Sequence, residues 1–181
     1  MANKASLSIA GEEFKVFEFS MGLQQKHDNQ GKPASGVYLG DFTFILEAGN
    51  DLFFNWQADQ TRMESGKVTV YRSDQDSKFI EYAFEKSFVT SVMESYYGND
   101  SLSNVYNQIG NVEDMGNAIF TEVMGGINHE TNPEVLSLIS QRNAVSEFQK
   151  RTGNSYCLYV TLSCEKIKIR DVDHDNKWGL S

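Results

Sequence analysis

The stretch from His27 to Val37, "HDNQGKPASGV", sets Gly31 and Gly36 around Lys32, a combination that raises the possibility of phosphate binding. A phosphate loop needs Gly-x-x-x-x-Gly-Lys-[Ser/Thr] opening a helix, so that backbone N–H groups face the anion. Here Pro33 follows Lys32, and Gly36-Val37-Tyr38-Leu39 continues as strand-like sequence, so no nucleotide site is expected. A second pattern is "DVDHDNKWG", in which Asp171, Asp173 and Asp175 match the first half of a calcium loop. Its sixth position is Asn176 where the sharp turn needs glycine, and no bidentate Glu follows. A polar hairpin turn between edge strands accounts better for it. The histidines His27, His129 and His174 lie in separate segments, and neither cysteine has a C-x-x-C partner, so solvated histidines are expected instead of zinc ligands. There is no Gly-x-Ser-x-Gly elbow and no local nucleophile–base set. The residues thus point to a protein without catalytic, cofactor or metal sites.

The elements around these patterns read as mainly β. Ala5, Leu7 and Ile9 alternate with polar residues, and Gly11 turns the chain. Phe14 and Val16, then Phe17, Phe19 and Met21, alternate with a phase slip that signals a bulge. Val37 to Leu46 reads as one long strand with a second slip near Gly40-Asp41. Such slips let a sheet curl. Asn50-Asp51 starts a helix that places Leu52, Phe53, Trp56 and Met63 at helical spacing, with Gly66 closing it. Val68 to Tyr71, Lys78 to Tyr97 and "SYCLYVTLSCEKIKIRDV" supply the remaining strands, with Ile167 and Ile169 in the opposite phase to Leu158–Cys164. Phe42, Phe44, Trp56, Tyr82 and Phe84 are expected to be ordinary core.

Between about Asn99 and Asn154 the pattern changes to helical. Ser101 to Ile109 and Val112 to Met124 are candidate short helices. A third carries the best signals: Asn132 as N-cap, Pro133 at the first position, Glu134 in the first turn and Gly153 as terminator. Its stripe of Val135, Leu138, Ile139, Val145 and Phe148 must bury against something. The expectation is a single domain over 1–181, a curled β-barrel interrupted by a helical insertion at about 99–154.

Composition sets the partners that are excluded. The chain's formal net charge of −9 offers no basic stripe for nucleic acid or for an anionic membrane surface. No apolar run reaches the roughly 18 residues of a membrane span, and the opening residues hold no signal-peptide core. Cys157 and Cys164 fall on opposite faces of one strand-like run and are not expected to pair, which suits synthesis in a reducing cytoplasm.

The order of these features resembles the tube protein of the type VI secretion system, the haemolysin-coregulated protein or TssD family, in its Bacteroidetes form. The likeness is carried by "ASLSIAGEEFKVFEFSMGLQQ", "DNQGKPASGVYLGDFTFILEA", "DLFFNWQADQTRMESGKVTVYRSDQDSKFIEYAFEKSFV" and "YVTLSCEKIKIRDVDHDNKW" in that order. The resemblance implies a small β-barrel with one flanking helix. It also implies a structural subunit forming hexameric rings that stack into a hollow, expelled tube. The implied partners are other copies of the chain, the contractile sheath, spike and baseplate proteins, and effector cargo in the lumen. Synthesis in the cytoplasm and export through the type VI apparatus without a signal peptide would follow. By the same resemblance the opening stretch is a ring-stacking loop, with Gly31, Pro33 and Gly36 shaping its backbone and Asp28 and Lys32 offering polar contacts. The helical segment departs from the family's shorter pattern; a helical decoration is expected there, and a grafted toxin enzyme is not, since the segment holds one histidine, His129, and no cysteine, and shows no nucleophile–base or metal set. Two alternatives stay open: a tail-tube protein of an extracellular contractile injection system, and a monomeric barrel binding a small apolar ligand.

Overall fold

A computed structural model describes residues 4–47, 50–72, 77–96, 133–176 and 178. The chain forms two compact units, Met1–Met93 with Leu158–Ser181, and Glu94–Cys157. In the first unit, alternation of apolar and polar residues gives β1 (Ala5–Ile9) and β2 (Glu12–Ser20), paired antiparallel from Ala5↔Val16 to Ile9↔Glu12. Ala10 (φ +52°) and Gly11 (φ +82°) join them, both left-handed. That is the conformation of the two-residue hairpin turn whose twist matches its strands. Glycine adopts it freely, whereas the Cβ of Ala10 is crowded there. Ala10→Asn is therefore expected to stabilise the protein by about 1 kcal/mol, since asparagine tolerates this region. A melting curve should shift up by about 2–4 °C; an unchanged or lower Tm would contradict the turn's strain.

β3 (Leu23–His27) and β4 (Pro33–Leu39) form a separate two-stranded sheet. The others are β5 (Phe42–Leu46), β6 (Glu64–Tyr71), β7 (Lys78–Tyr96), β8 (Tyr156–Ile169) and β9 (Val172–Asp175). Strand order is β5-β2-β1-β6-β7-β8-β9, with β5 also paired to β8 from Phe42↔Leu162 to Leu46↔Leu158. Six strands thereby close into a barrel, and β9 extends β8 outside it. The expected slip after Val16 is a register shift against β5 between Val16 and Glu18. The slip at Gly40-Asp41 proves to be a break: the single long strand expected from Val37 to Leu46 is two strands in two different sheets. A further bulge in β7 sets Glu85 and Lys86 (φ +49°) against Ser65, between the pairs Gly66↔Phe84 and Glu64↔Ser87.

The barrel interior is filled. Leu7, Phe42, Leu46, Val68, Leu158, Val160 and Leu162 are fully buried, and Phe44, Phe84 and Ile167 nearly so, with Tyr82 packed against them. The helix α1 (Leu52–Ala58) adds Phe53 and Trp56 to this core. Asn50 Oδ1 accepts a hydrogen bond from Leu52 N (2.9 Å) at its start. The helix stops well short of Gly66, which lies in β6. Asp59 ends it by accepting bonds from Thr61 N (3.0 Å) and Oγ1 (2.7 Å), and Trp56 Nε1 donates to Arg62 O (2.8 Å). Met63 is consequently half exposed instead of completing a helical stripe.

In the second unit, α2 (Pro133–Thr152) begins at the expected proline and ends at Gly153 (φ +73°), whose N–H donates to Gln149 O (2.8 Å). Val145 and Phe148 are buried as the stripe requires, but so are Gln141, Ser146 and Gln149. Gln149 joins the helix to the strand ends: Nε2 donates to Ser95 O (3.3 Å) and Ser155 O (3.4 Å), and Oε1 accepts from Ser95 Oγ (3.1 Å). The candidate helices at Ser101–Ile109 and Val112–Met124, together with Asn132, lie outside the described residues.

Candidate functional site

The stretch first singled out for phosphate chemistry is the tip and second strand of the β3–β4 hairpin. Asp28 organises the turn. Its Oδ1 accepts from Gln30 N (2.8 Å) and Lys32 N (2.9 Å), its N–H donates to Lys32 O (2.8 Å), and its C=O accepts from Gly31 N (3.0 Å). Gly31 sits at φ +79°, a conformation that favours glycine. Pro33 opens β4 opposite His27. Gly36 needs no special φ, and a Cβ there would meet nothing within 4 Å. The Lys32 side chain is exposed beside the turn. Ser35, not foreseen, repairs the bulge between Gln25 and His27: its Oγ accepts from Lys26 N (2.9 Å), and its C=O accepts from Gln25 Nε2 (3.0 Å).

At its base the hairpin is tied down. Gly40 N donates to Gly22 O (2.8 Å), so the two chains enter side by side. Asn176 Oδ1 accepts from Leu39 N (2.9 Å), while Asn176 Nδ2 donates to Cys164 O (2.9 Å) and its backbone N–H to Glu165 O (2.8 Å). One side chain just past β9 thereby fixes where β4 leaves the barrel.

Beyond this base every residue of β3 is exposed, and β4 is mostly so. The register Gln25↔Val37 and Leu23↔Leu39 puts Leu23, Val37 and Leu39 on one face. Leu39 packs against the core, but Leu23 and Val37 stay 45% and 39% exposed. An isolated two-stranded hairpin is marginal in water, and its unpaired edges and apolar face are characteristic of a segment that meets another surface.

The remaining candidates have local explanations. Asp171 lies in the β8–β9 turn, whose other residue, Arg170, has φ +58°. Asp173 and Asp175 face Lys168 and Lys166 across the β8–β9 ladder, and His174 Nε2 lies 3.2 Å from Asn176 Oδ1. His27 ends β3, and His129 is outside the described residues. Among the described residues no group of three or more His, Cys, Asp or Glu is placed to hold a metal ion, and no helix is long and apolar enough to cross a membrane. Cys157 and Cys164 are unpaired and buried, and burial pushes their thiols up to about 11 and about 12. At pH 7 the Cys157 thiolate fraction is then roughly one part in ten thousand. Both thiols are expected to resist alkylation in the native protein and to react fully on unfolding; fast native labelling would contradict their burial.

The family model for Hemolysin coregulated protein Hcp (TssD) matches residues 1–110. Among solved structures, Hcp1 from Flavobacterium johnsoniae is 17% identical, with 96% of this chain and 99% of that chain covered at a TM-score of 0.62. Hcp1 from E. coli EAEC 042 is 13% identical, covering 98% and 99% at a TM-score of 0.53. Hcp1 from Salmonella typhimurium is 13% identical, covering 92% and 85% at 0.50. At these identities the structural likeness speaks for the fold alone. No curated protein sequence matches the chain.

Proposed function

Since the chain belongs to the Hcp (TssD) family, we propose that it is a structural, non-enzymatic tube subunit of a type VI secretion system. Six copies form a ring through a repeated head-to-tail interface, and rings stack into a hollow tube that a contractile sheath expels. The subunit is made in the cytoplasm and leaves through the apparatus itself. The sheath, spike and baseplate are its partners, and effectors are carried in the lumen. In this reading the helical segment at about 99–154 is a decoration on a single barrel domain.

The observation that carries the reading is the β3–β4 hairpin, a polar, solvated projection with two exposed apolar side chains, from which the barrel core takes Leu39 at the base. Asp28 and Gly31 hold the turn's shape, Pro33 begins its second strand, Gly36 adds no bulk, and Lys32 makes contact with the next ring. The filled interior supports a structural subunit over a ligand-carrying barrel, which would leave space between side chains such as Phe42, Val160 and Leu162.

Replacing Gly31-Lys32-Pro33 with a short Asn-Gly turn tests this. Exposed loops contribute little core burial, so the variant is expected to keep its melting temperature and its rings while tube length in electron micrographs collapses. Tubes of unchanged length would refute the stacking role.

A further inference from the structure

β2 runs about 26 Å from Glu12 to Ser20 at the rise of an extended strand. The hairpin leaves the barrel just past its C-terminal end. At its N-terminal end the β1–β2 turn, the start of β6 and the β7 bulge enclose an open concavity of about 610 Å³. Ala10, Gly11 and Gly66 line it, and Glu12, Glu13 and Glu85 supply its charge, against the lining cation Lys67; Lys86, beside Glu85, pairs with Glu165, and Glu12 accepts a hydrogen bond from Asn50 Nδ2. Lys67 Nζ itself lies 3.7 Å from Glu81. Glu12, Glu13 and Glu85 are all exposed.

The hairpin has the opposite character. In a chain of net charge −9 it carries Lys26, Lys32 and His27, while the Oδ1 of its one carboxylate, Asp28, is engaged by two backbone amides. A basic projection and an acidic concavity therefore stand at opposite ends of the same strand. Contacts between unlike patches at opposite ends of a subunit are heterologous, and where successive copies are displaced along one axis such contacts propagate without closing, as in a stack.

We propose that the concavity bordered by Glu12, Glu13 and Glu85 receives the β3–β4 hairpin of a second copy of this chain, with Lys26 and Lys32 facing the glutamates. This rests on the stacking role proposed above and adds the receiving surface. Charge pairing of this kind fixes register and partner more than raw affinity, and exposed pairs weaken as salt rises.

The test is a charge exchange in the full-length chain. Lys26→Glu with Lys32→Glu, or Glu13→Lys with Glu85→Lys, is each expected to reduce ring-to-ring association at least about tenfold, because like charges then meet. All four substitutions together should restore it to within about threefold of wild type. If either pair leaves association unchanged, or the combination fails to rescue, the receiving site is wrong. The Asn-Gly hairpin variant separates the two levels. If it loses stacking while the glutamate pair does not, the hairpin docks elsewhere; if it too stacks normally, the stacking role itself fails. Should a charge variant not fold, Lys32→Cys with Glu13→Cys replaces it. A disulfide between copies in stacked rings supports the site, and stacked rings without that link overturn it.

Discussion

Phe42→Ala is expected to cost about 3–5 kcal/mol, the range for truncating a buried aromatic side chain. Phe42 is fully buried, and its ring sits among four others: Phe44 at 4.4 Å, Phe84 at 5.8 Å, Phe19 at 6.0 Å and Tyr82 at 6.3 Å between centroids. These partners come from three strands, so no single side chain can relax into the space. The loss combines transfer free energy, the cavity, and the edge-to-face geometry of the Phe84, Phe19 and Tyr82 pairs, each worth about 0.5–1.5 kcal/mol beyond area. Against a total stability of about 5–15 kcal/mol, urea unfolding should show a midpoint lowered by about a fifth or more. A loss below about 1 kcal/mol would mean that the ring cluster does not hold the barrel shut.

Gly66→Val is expected to destabilise for the opposite reason. An added Cβ at Gly66 would lie 2.7 Å from Ser8 O, 2.8 Å from Phe84 Cζ and 3.1 Å from Ile9 Cβ. Ser8 O is backbone in a paired strand, and the Phe84 ring is held by its own burial and by Phe42, so neither yields easily. Overpacking typically costs about 1–3 kcal/mol and sometimes more, and valine belongs at the top of that range. Gly36→Ala provides the contrast. Its Cβ meets nothing within 4 Å, and the change should stay within about 0.5 kcal/mol, as at an ordinary surface site. Equal effects at the two positions would contradict the close approach of β1, β6 and β7 at Gly66.

Much of this core was legible in the sequence because strand alternation is a strong signal. Leu7 and Ile9, Phe14 and Val16, Phe42 and Phe44, and Leu158 to Cys164 announce their faces directly. The phase slips after Val16 and near Gly40 likewise marked where the sheet bends or ends. What local pattern could not reveal was pairing. Gly66 looks like a helix terminator, yet its role comes from Ser8 and Phe84, far away along the chain. The length of α1 was overestimated because Leu52, Phe53, Trp56 and Met63 fit a helical period, whereas Asp59 and Thr61 break it with side-chain bonds to backbone. Asp28, expected to offer polar contacts, instead holds the turn through its own backbone partners, while at the candidate site the turn glycine Gly31 was readable. The strand character of "LQQKH" was not, because its alternation is carried by Leu23 alone, and the tie from Asn176 to Leu39 joins residues 137 positions apart. Asn176 attracted notice only as the residue spoiling a calcium loop.

A subunit that closes into rings of six, as proposed above, has a defined assembly mass. The most direct measurement is the assembly mass of the purified full-length protein, by sedimentation velocity at high concentration across a range of salt. A discrete species of about 122 kDa, six copies of the 20.4 kDa chain, is expected, giving way to larger species as rings stack. A single boundary at 20.4 kDa under every condition would contradict it.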